Sequence, residues 1–123
     1  MRDIERAGRE IGFGLEVGSK PELLAVMGLT AGAGDRLIIC NGFKEERFSH
    51  HVLLASRLGR NIIAVVESME ELEILIRQAH RMDVRPQIGL RLKLTSGSHG
   101  KWQLSTGEKA KFGLPVPALL AAV

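Results

Sequence analysis

Ile62-Ile-Ala-Val-Val66, followed at once by Glu67-Ser-Met-Glu-Glu-Leu-Glu-Ile-Leu-Ile-Arg-Gln-Ala-His-Arg-Met82, decides the fold class. Five apolar residues with no polar alternation read as a buried strand of a parallel sheet. The next stretch changes period: Leu72, Leu75, Ile76 and Ala79 fall on one side of a helix. Ser68 stands where a cap is needed. Glu70, Glu71 and Glu73 suit the positive end of the helix dipole, and Arg77, His80 and Arg81 the negative end. The unit is a strand followed by a helix.

Working outward, the same unit recurs. Apolar runs lie at Phe13 to Val17, Leu37 to Cys40 and Ile88 to Leu94. Ser19, Pro21 and Glu22 open a helix buried at Leu23, Leu24, Val26 and Met27, with Gly28 near its end. A second helix is expected from Lys44 to Leu58, apolar at Val52, Leu53, Ala55 and Leu58, with Gly59 after it. The order is β-α-β-α-β-α-β, and strand starts recur roughly every 25 residues, the spacing of repeated βα units. Thr95 to Gly113, rich in Gly, Ser and Lys, reads as a long excursion, and Pro115 to Val123 as the start of a helix. The expectation is a single partial domain over residues 1–123, interrupted at both ends.

Composition agrees with this class. Apolar residues make up 45% of the chain, yet there are four Phe, one Trp and no Tyr, so aliphatic side chains must fill the core. The net charge of +3 arises from 17 basic and 14 acidic residues in mixed order, a pattern that does not point to nucleic acid. Cys40 is the single cysteine, which rules out an intrachain disulfide and suits a reducing cytoplasm. No apolar stretch approaches the roughly 18 residues that span a bilayer, so no membrane is expected as a partner.

In parallel α/β folds, function collects at the carboxyl ends of the strands. Those ends carry Glu16 and Ser19, then Asn41 and Lys44, then Glu67, then Arg91, Lys93 and Thr95. Glu16 lies within an apolar strand, where a carboxylate needs a partner or a water-filled mouth. Arg91 suits an ion pair with Glu16 or Glu67 as well as it suits a ligand. Glu67 reads first as the start of the acidic helix, Asn41 as a turn residue before Gly42, and Ser19 as a cap. His50 and His51 are adjacent on a helix and diverge, and no metal-ligand spacing occurs anywhere, so no metal site is expected. Cys40 reads as packing. Neither Gly32-Ala33-Gly34 nor Gly97 to Lys101 has the context of a nucleotide loop.

Four segments carry a resemblance: Gly14-Leu-Glu-Val-Gly-Ser-Lys-Pro-Glu-Leu23, Ile39-Cys-Asn-Gly-Phe-Lys44, Val84-Arg-Pro-Gln-Ile-Gly-Leu-Arg91 and Gly100-Lys-Trp-Gln-Leu-Ser-Thr-Gly-Glu-Lys-Ala-Lys-Phe-Gly113. Together they resemble the biosynthetic arginine decarboxylases, of the alanine-racemase-like barrel class. The resemblance implies part of a (β/α)8 TIM barrel that binds pyridoxal 5'-phosphate, in an oligomer whose subunits share active sites. Magnesium is a further candidate in the whole enzyme. The implied reaction converts arginine to agmatine and carbon dioxide, a first step toward polyamines. It also implies that Glu16 lies near the cofactor's attachment point and Arg91 near its ring and 3'-hydroxyl. Ser19 and Glu22 fall on the same motif, and Lys111 matches a Lys-Phe-Gly element with an interface role.

The departures matter equally. By the same resemblance the cofactor-anchoring lysine would precede Met1, while the stacking histidine and the glycine-rich phosphate loop would follow Val123. The expectation is therefore a segment without catalytic residues of its own and inactive in isolation. Two other readings compete with it: a stand-alone interaction or regulatory module derived from the barrel, and a small α/β domain that binds a phosphorylated ligand.

Overall fold

The computed structural model describes residues 6–8, 11–32, 36–93 and 113–122. Within them, strands β1 (Leu15–Val17), β2 (Ile38–Cys40), β3 (Ile62–Val66) and β4 (Gln87–Leu90) alternate with helices α1 (Lys20–Leu29), α2 (Glu46–Arg57) and α3 (Met69–Met82); α4 (Val116–Ala122) follows. The strands form one parallel sheet in the order β1-β2-β3-β4. Sequence order equals spatial order, so each helix returns the chain to the next position along the sheet.

Register separates two faces. Val17, Cys40 and Ala64 are aligned across three strands, as are Leu15, Ile38 and Ile62. All but Leu15 are buried, and they form the core with Leu23 and Val26 of α1, Phe48, Val52, Leu53 and Ala55 of α2, and Leu72, Leu75 and Ala79 of α3. Fully burying one such Leu, Ile or Val contributes about 1.5–3 kcal/mol. The intervening row, Glu16, Ile39, Ile63 and Gln87, occupies the other face, where exposure ranges from partial to full. The sheet is open. Among the described residues, its helices cover one face and leave the other bare.

The edge beyond β4 is not vacant. Leu92 pairs in parallel with Leu114: the Leu114 amide donates to Arg91 O at 2.7 Å, and the Lys93 amide to Leu114 O at 2.9 Å. Leu114 is buried. The chain thus returns from its excursion at the next position along the same sheet.

Several boundaries move by a residue or two. Helix α2 begins at Glu46 rather than Lys44, because Lys44 is held elsewhere. Leu58 and Leu24, expected in the core, are 65% and 51% exposed, and Ile76 is 40% exposed. Each lies beside the buried stripe of its helix rather than on it. At the pole opposite the strand ends, Arg60 donates to Thr30 O at 3.2 Å and also to the Thr30 hydroxyl oxygen, which ties the connectors there.

Candidate functional site

Two helices at the carboxyl face begin with one device. In α3 the Ser68 hydroxyl accepts from the Glu71 amide at 3.2 Å, while Glu71 Oε2 accepts from the Glu67 amide at 2.9 Å. In α1, Glu22 Oε2 accepts from the Gly18 amide at 2.7 Å, but Ser19 caps through its backbone and makes no side-chain bond. Each of these helix starts has the sequence Ser-x-x-Glu-Leu, at Ser19 to Leu23 and at Ser68 to Leu72. That shared string is the signal in the sequence that Glu71 has a structural task beyond complementing the dipole.

Glu71 is fully buried, and so is Lys44, whose ammonium lies 2.6 Å from Glu71 Oε1. Lys44 Nζ donates also to Gly42 O at 2.7 Å and Val65 O at 2.5 Å, and the Lys44 amide reaches Glu71 Oε1 at 3.3 Å. An ammonium has three protons, and three acceptors use them. By sequence Lys44 is a candidate for a site or an interface; its side chain instead locks the loop after β2 to the loop after β3. It has no donor left for a ligand.

The lock extends to both sides. Gly42 adopts φ +74°, and a Cβ there would lie 2.8 Å from Gly18 O, so the loops after β1 and β2 are in backbone contact. Asn41 takes part through its amide, which donates to Val17 O at 2.9 Å, and it precedes this turn as expected. On the other side, Glu67 Oε1 accepts from Arg91 Nη1 at 2.9 Å. The alternation that puts Val65 and Gly89 on the bare face carries on to Glu67 and Arg91.

The sequence places Glu67 at the start of the acidic helix. It lies instead before the Ser68 cap, with its side chain 3% exposed, and it resolves the choice of partner for Arg91. Arg91 is 47% exposed, so half of its side-chain surface faces outward. Glu67 Oε2 is buried without a hydrogen-bond partner. Leaving a buried carboxylate oxygen without a partner among the described residues carries a desolvation cost.

Glu16 is exposed on the bare face and makes no ion pair or hydrogen bond among the described residues. The open mouth, not a protein partner, answers the cost of a carboxylate in an apolar strand. The sheet brings Glu16, Glu67 and Arg91 to one face, while Ser19 and Glu22 serve the start of α1. Lys111, like His99 and most of the Gly100 to Gly113 motif, lies outside the described residues.

Cys40 is a buried free thiol on the helix-covered face. Burial pushes its pKa up to about 12, with the nearby Lys44 charge acting in the opposite direction. At neutral pH it is a protonated core residue, not a nucleophile. Among the described residues, no group of three or more His, Cys, Asp and Glu is placed to hold a metal, and no helix is long and apolar enough to cross a membrane.

Residues 3–123 match the family model described as pyridoxal-dependent decarboxylase, pyridoxal binding domain. The chain is 47% identical over 121 residues to the biosynthetic arginine decarboxylase of Rhodopirellula baltica, covering 98% of this chain and 18% of that protein. It is 42% identical over 123 residues to the enzyme of the same name from Nostoc sp., covering 100% and 18%. Among solved structures, the biosynthetic arginine decarboxylase of Campylobacter jejuni superposes with a TM-score of 0.75 at 32% identity, over 98% of this chain and 18% of that one. The chain therefore spans under a fifth of the length of these relatives, and its open four-stranded sheet is a partial barrel wall. By its match over nearly every residue, the chain belongs to the pyridoxal-binding domain family of the pyridoxal-dependent decarboxylases.

Proposed function

We propose that this chain forms one wall of the pyridoxal-phosphate site in an arginine decarboxylase, which releases carbon dioxide from arginine and leaves agmatine. The observation that carries the reading is the Glu67–Arg91 pair. A guanidinium stands half-exposed at the strand ends, on the face no helix covers, and is held by a buried carboxylate with one oxygen still unpartnered. These residues fit the edge of an anionic, ring-bearing cofactor: Arg91 supplies directional N–H donors, and Glu67 fixes their aim. When bound, the cofactor supplies an electron sink for the bond broken on loss of the carboxylate.

The chain's own residues bind and orient. Arg91 would hold the cofactor by donating N–H to one of its oxygens. Glu16, free and exposed on the same face, holds negative charge beside the cationic end of the site. The Lys44–Glu71 lock keeps the strand-end loops in register, so these two groups keep their separation. Lys44 has no free donor for the cofactor, and the family resemblance implies that the anchoring amine lies outside this segment. Lys111 belongs to this proposal as an interface residue in a homo-oligomer. A cytoplasmic location is part of it too, supported by the reduced thiol of Cys40 in the core.

The test is a transplant. These 123 residues replace the matching segment of the Rhodopirellula baltica protein, and agmatine formation from arginine is followed together with cofactor absorbance. The expected result is an active chimera whose cofactor affinity falls at least about tenfold on Arg91→Gln, in line with loss of a charge-assisted bond. A folded chimera without activity, or one whose cofactor binding ignores Arg91→Gln, overturns the proposal.

A further inference from the structure

The Lys-Phe-Gly element ends on Gly113, where the chain returns to the sheet beside Arg91. Arg91 lies just past β4, where an edge strand ordinarily loses its partners. Its backbone is nonetheless paired on both sides. Its amide donates to Val66 O at 3.0 Å, and its carbonyl accepts from the Leu114 amide at 2.7 Å. Two positions on, the Lys93 amide donates to Leu114 O at 2.9 Å. Leu114 is 2% exposed, and α4 starts at Val116, so the returning segment is anchored and cannot retreat from the strand end.

Gly113 fits this return because it has no side chain. Its φ is +96°, and a Cβ there would lie 3.0 Å from Lys93 N, 3.2 Å from Leu92 C and 3.3 Å from Arg91 O. All three atoms are backbone, so no side chain can turn aside to make room, and the strand end itself must move. Arg91 O is the atom that the Leu114 amide holds, while Nη1 of the same residue meets the buried Glu67 carboxylate at 2.9 Å. Moving the Arg91 backbone by a few tenths of an ångström re-aims a guanidinium whose other fixed point, Glu67, stays in place. Gly59 is the contrast: its φ is +77°, with open space around the missing Cβ.

We propose that Gly113 is a positioning residue for the pyridoxal-phosphate site. It lets the returning segment clamp the Arg91 backbone, and so sets the direction in which the guanidinium donates. The inference rests on the reading of Arg91 as a cofactor ligand. It gives the last residue of the Lys-Phe-Gly element a task distinct from the interface role proposed for Lys111.

The test uses these 123 residues within the Rhodopirellula baltica protein, with cofactor affinity followed by absorbance. Gly113→Ala should weaken cofactor binding at least about fivefold, whereas Gly59→Ala should bind like the parent. On top of Arg91→Gln, Gly113→Ala should add less than about twofold, because no guanidinium is left to aim. A merely structural loss would add in full. Replacing the Leu114 amide by an ester, with the leucine side chain kept, removes the bond to Arg91 O and adds no atom. That change should weaken cofactor binding about threefold, and it decides the matter if Gly113→Ala does not fold. Parent-like affinity in a folded Gly113→Ala variant, or in the ester variant, overturns the inference, as does full additivity with Arg91→Gln. If Arg91→Gln itself binds cofactor like the parent, the reading of the site fails and takes this inference with it. A loss on Arg91→Gln without one on Gly113→Ala overturns this inference alone.

Discussion

Lys44 and Glu71 lie 27 positions apart in sequence, yet their charged groups meet at 2.6 Å with both side chains completely buried. Every proton of the ammonium is used, and the carboxylate also receives the amides of Lys44 and Glu67. One interaction therefore sets the relative height of two strand-end loops. Through Gly42 and Glu67 it extends to the loop after β1 and to Arg91.

Lys44→Met should destabilise the chain by about 3–5 kcal/mol, because it strands a buried carboxylate. Adding Glu71→Gln should recover part of that loss, since the amide oxygen still accepts one backbone N–H. Urea midpoints of the two variants measure this. A loss below about 1 kcal/mol for Lys44→Met, the level of an exposed pair, would show that the lock does not exist.

Two glycines with nearly the same dihedral separate strain from contact. Gly59 has φ +77° with open space around the missing Cβ, whereas Gly42 has φ +74° with Gly18 O only 2.8 Å away. Gly59→Ala should cost about 1 kcal/mol, the left-handed penalty alone. Gly42→Ala should cost more, because backbone must shift as well. Equal melting temperatures for the two variants would remove the claimed loop contact.

The Ser-x-x-Glu starts of α1 and α3 predict unequal serines. Ser68 accepts from the Glu71 amide, so Ser68→Ala should lose about 1 kcal/mol. Ser19 makes no such bond, and Ser19→Ala should fall within about 0.5 kcal/mol of the parent. Chemical denaturation of both distinguishes them.

Cys40 gives the chain an alkaline weakness. Its thiol titrates near 9.0 when unfolded and is pushed to about 12 by burial in the fold. Between those values the unfolded state has released a proton that the folded state retains, so stability is complete below pH 9.0 and falls as pH rises toward 12. The slope approaches about 1.4 kcal/mol per pH unit. Relative to Cys40→Ala, the parent should lose stability between pH 9 and about 11 in denaturation curves. Parallel pH profiles would contradict this, as would rapid thiol labelling of the native chain at neutral pH.

The strands are legible in the sequence because an apolar run is a local property. Ile62–Val66 matches its sequence reading residue for residue; the runs at Phe13 and Leu37 match at their ends and begin one or two residues early, and the run at Ile88 extends four residues beyond β4. Helix faces are less legible. Leu24, Leu58 and Ile76 are apolar but fall outside the covered stripe, since coverage depends on which neighbouring helix is near. Glu16 and Arg91 are recognisable as polar residues in apolar strands. The pairing of Glu67 with Arg91 is one of the alternatives the sequence offers, but the burial of Glu67 and the pairing of Lys44 with Glu71 are not legible there: each looks like a solvated residue beside a helix start, and each meets a partner distant in sequence.

The amino-acid order alone determined the alternation of strand and helix, the absence of an intrachain disulfide and the cluster of polar residues at the strand ends, because period, capping and residue type act over a few neighbours. Which of those residues would meet was decided only by tertiary structure. Parallel pairing brings the ends of β2, β3 and β4 side by side, and the desolvation there makes Lys44 select Glu71 and Glu67 select Arg91, leaving Glu16 to face the open side of the sheet.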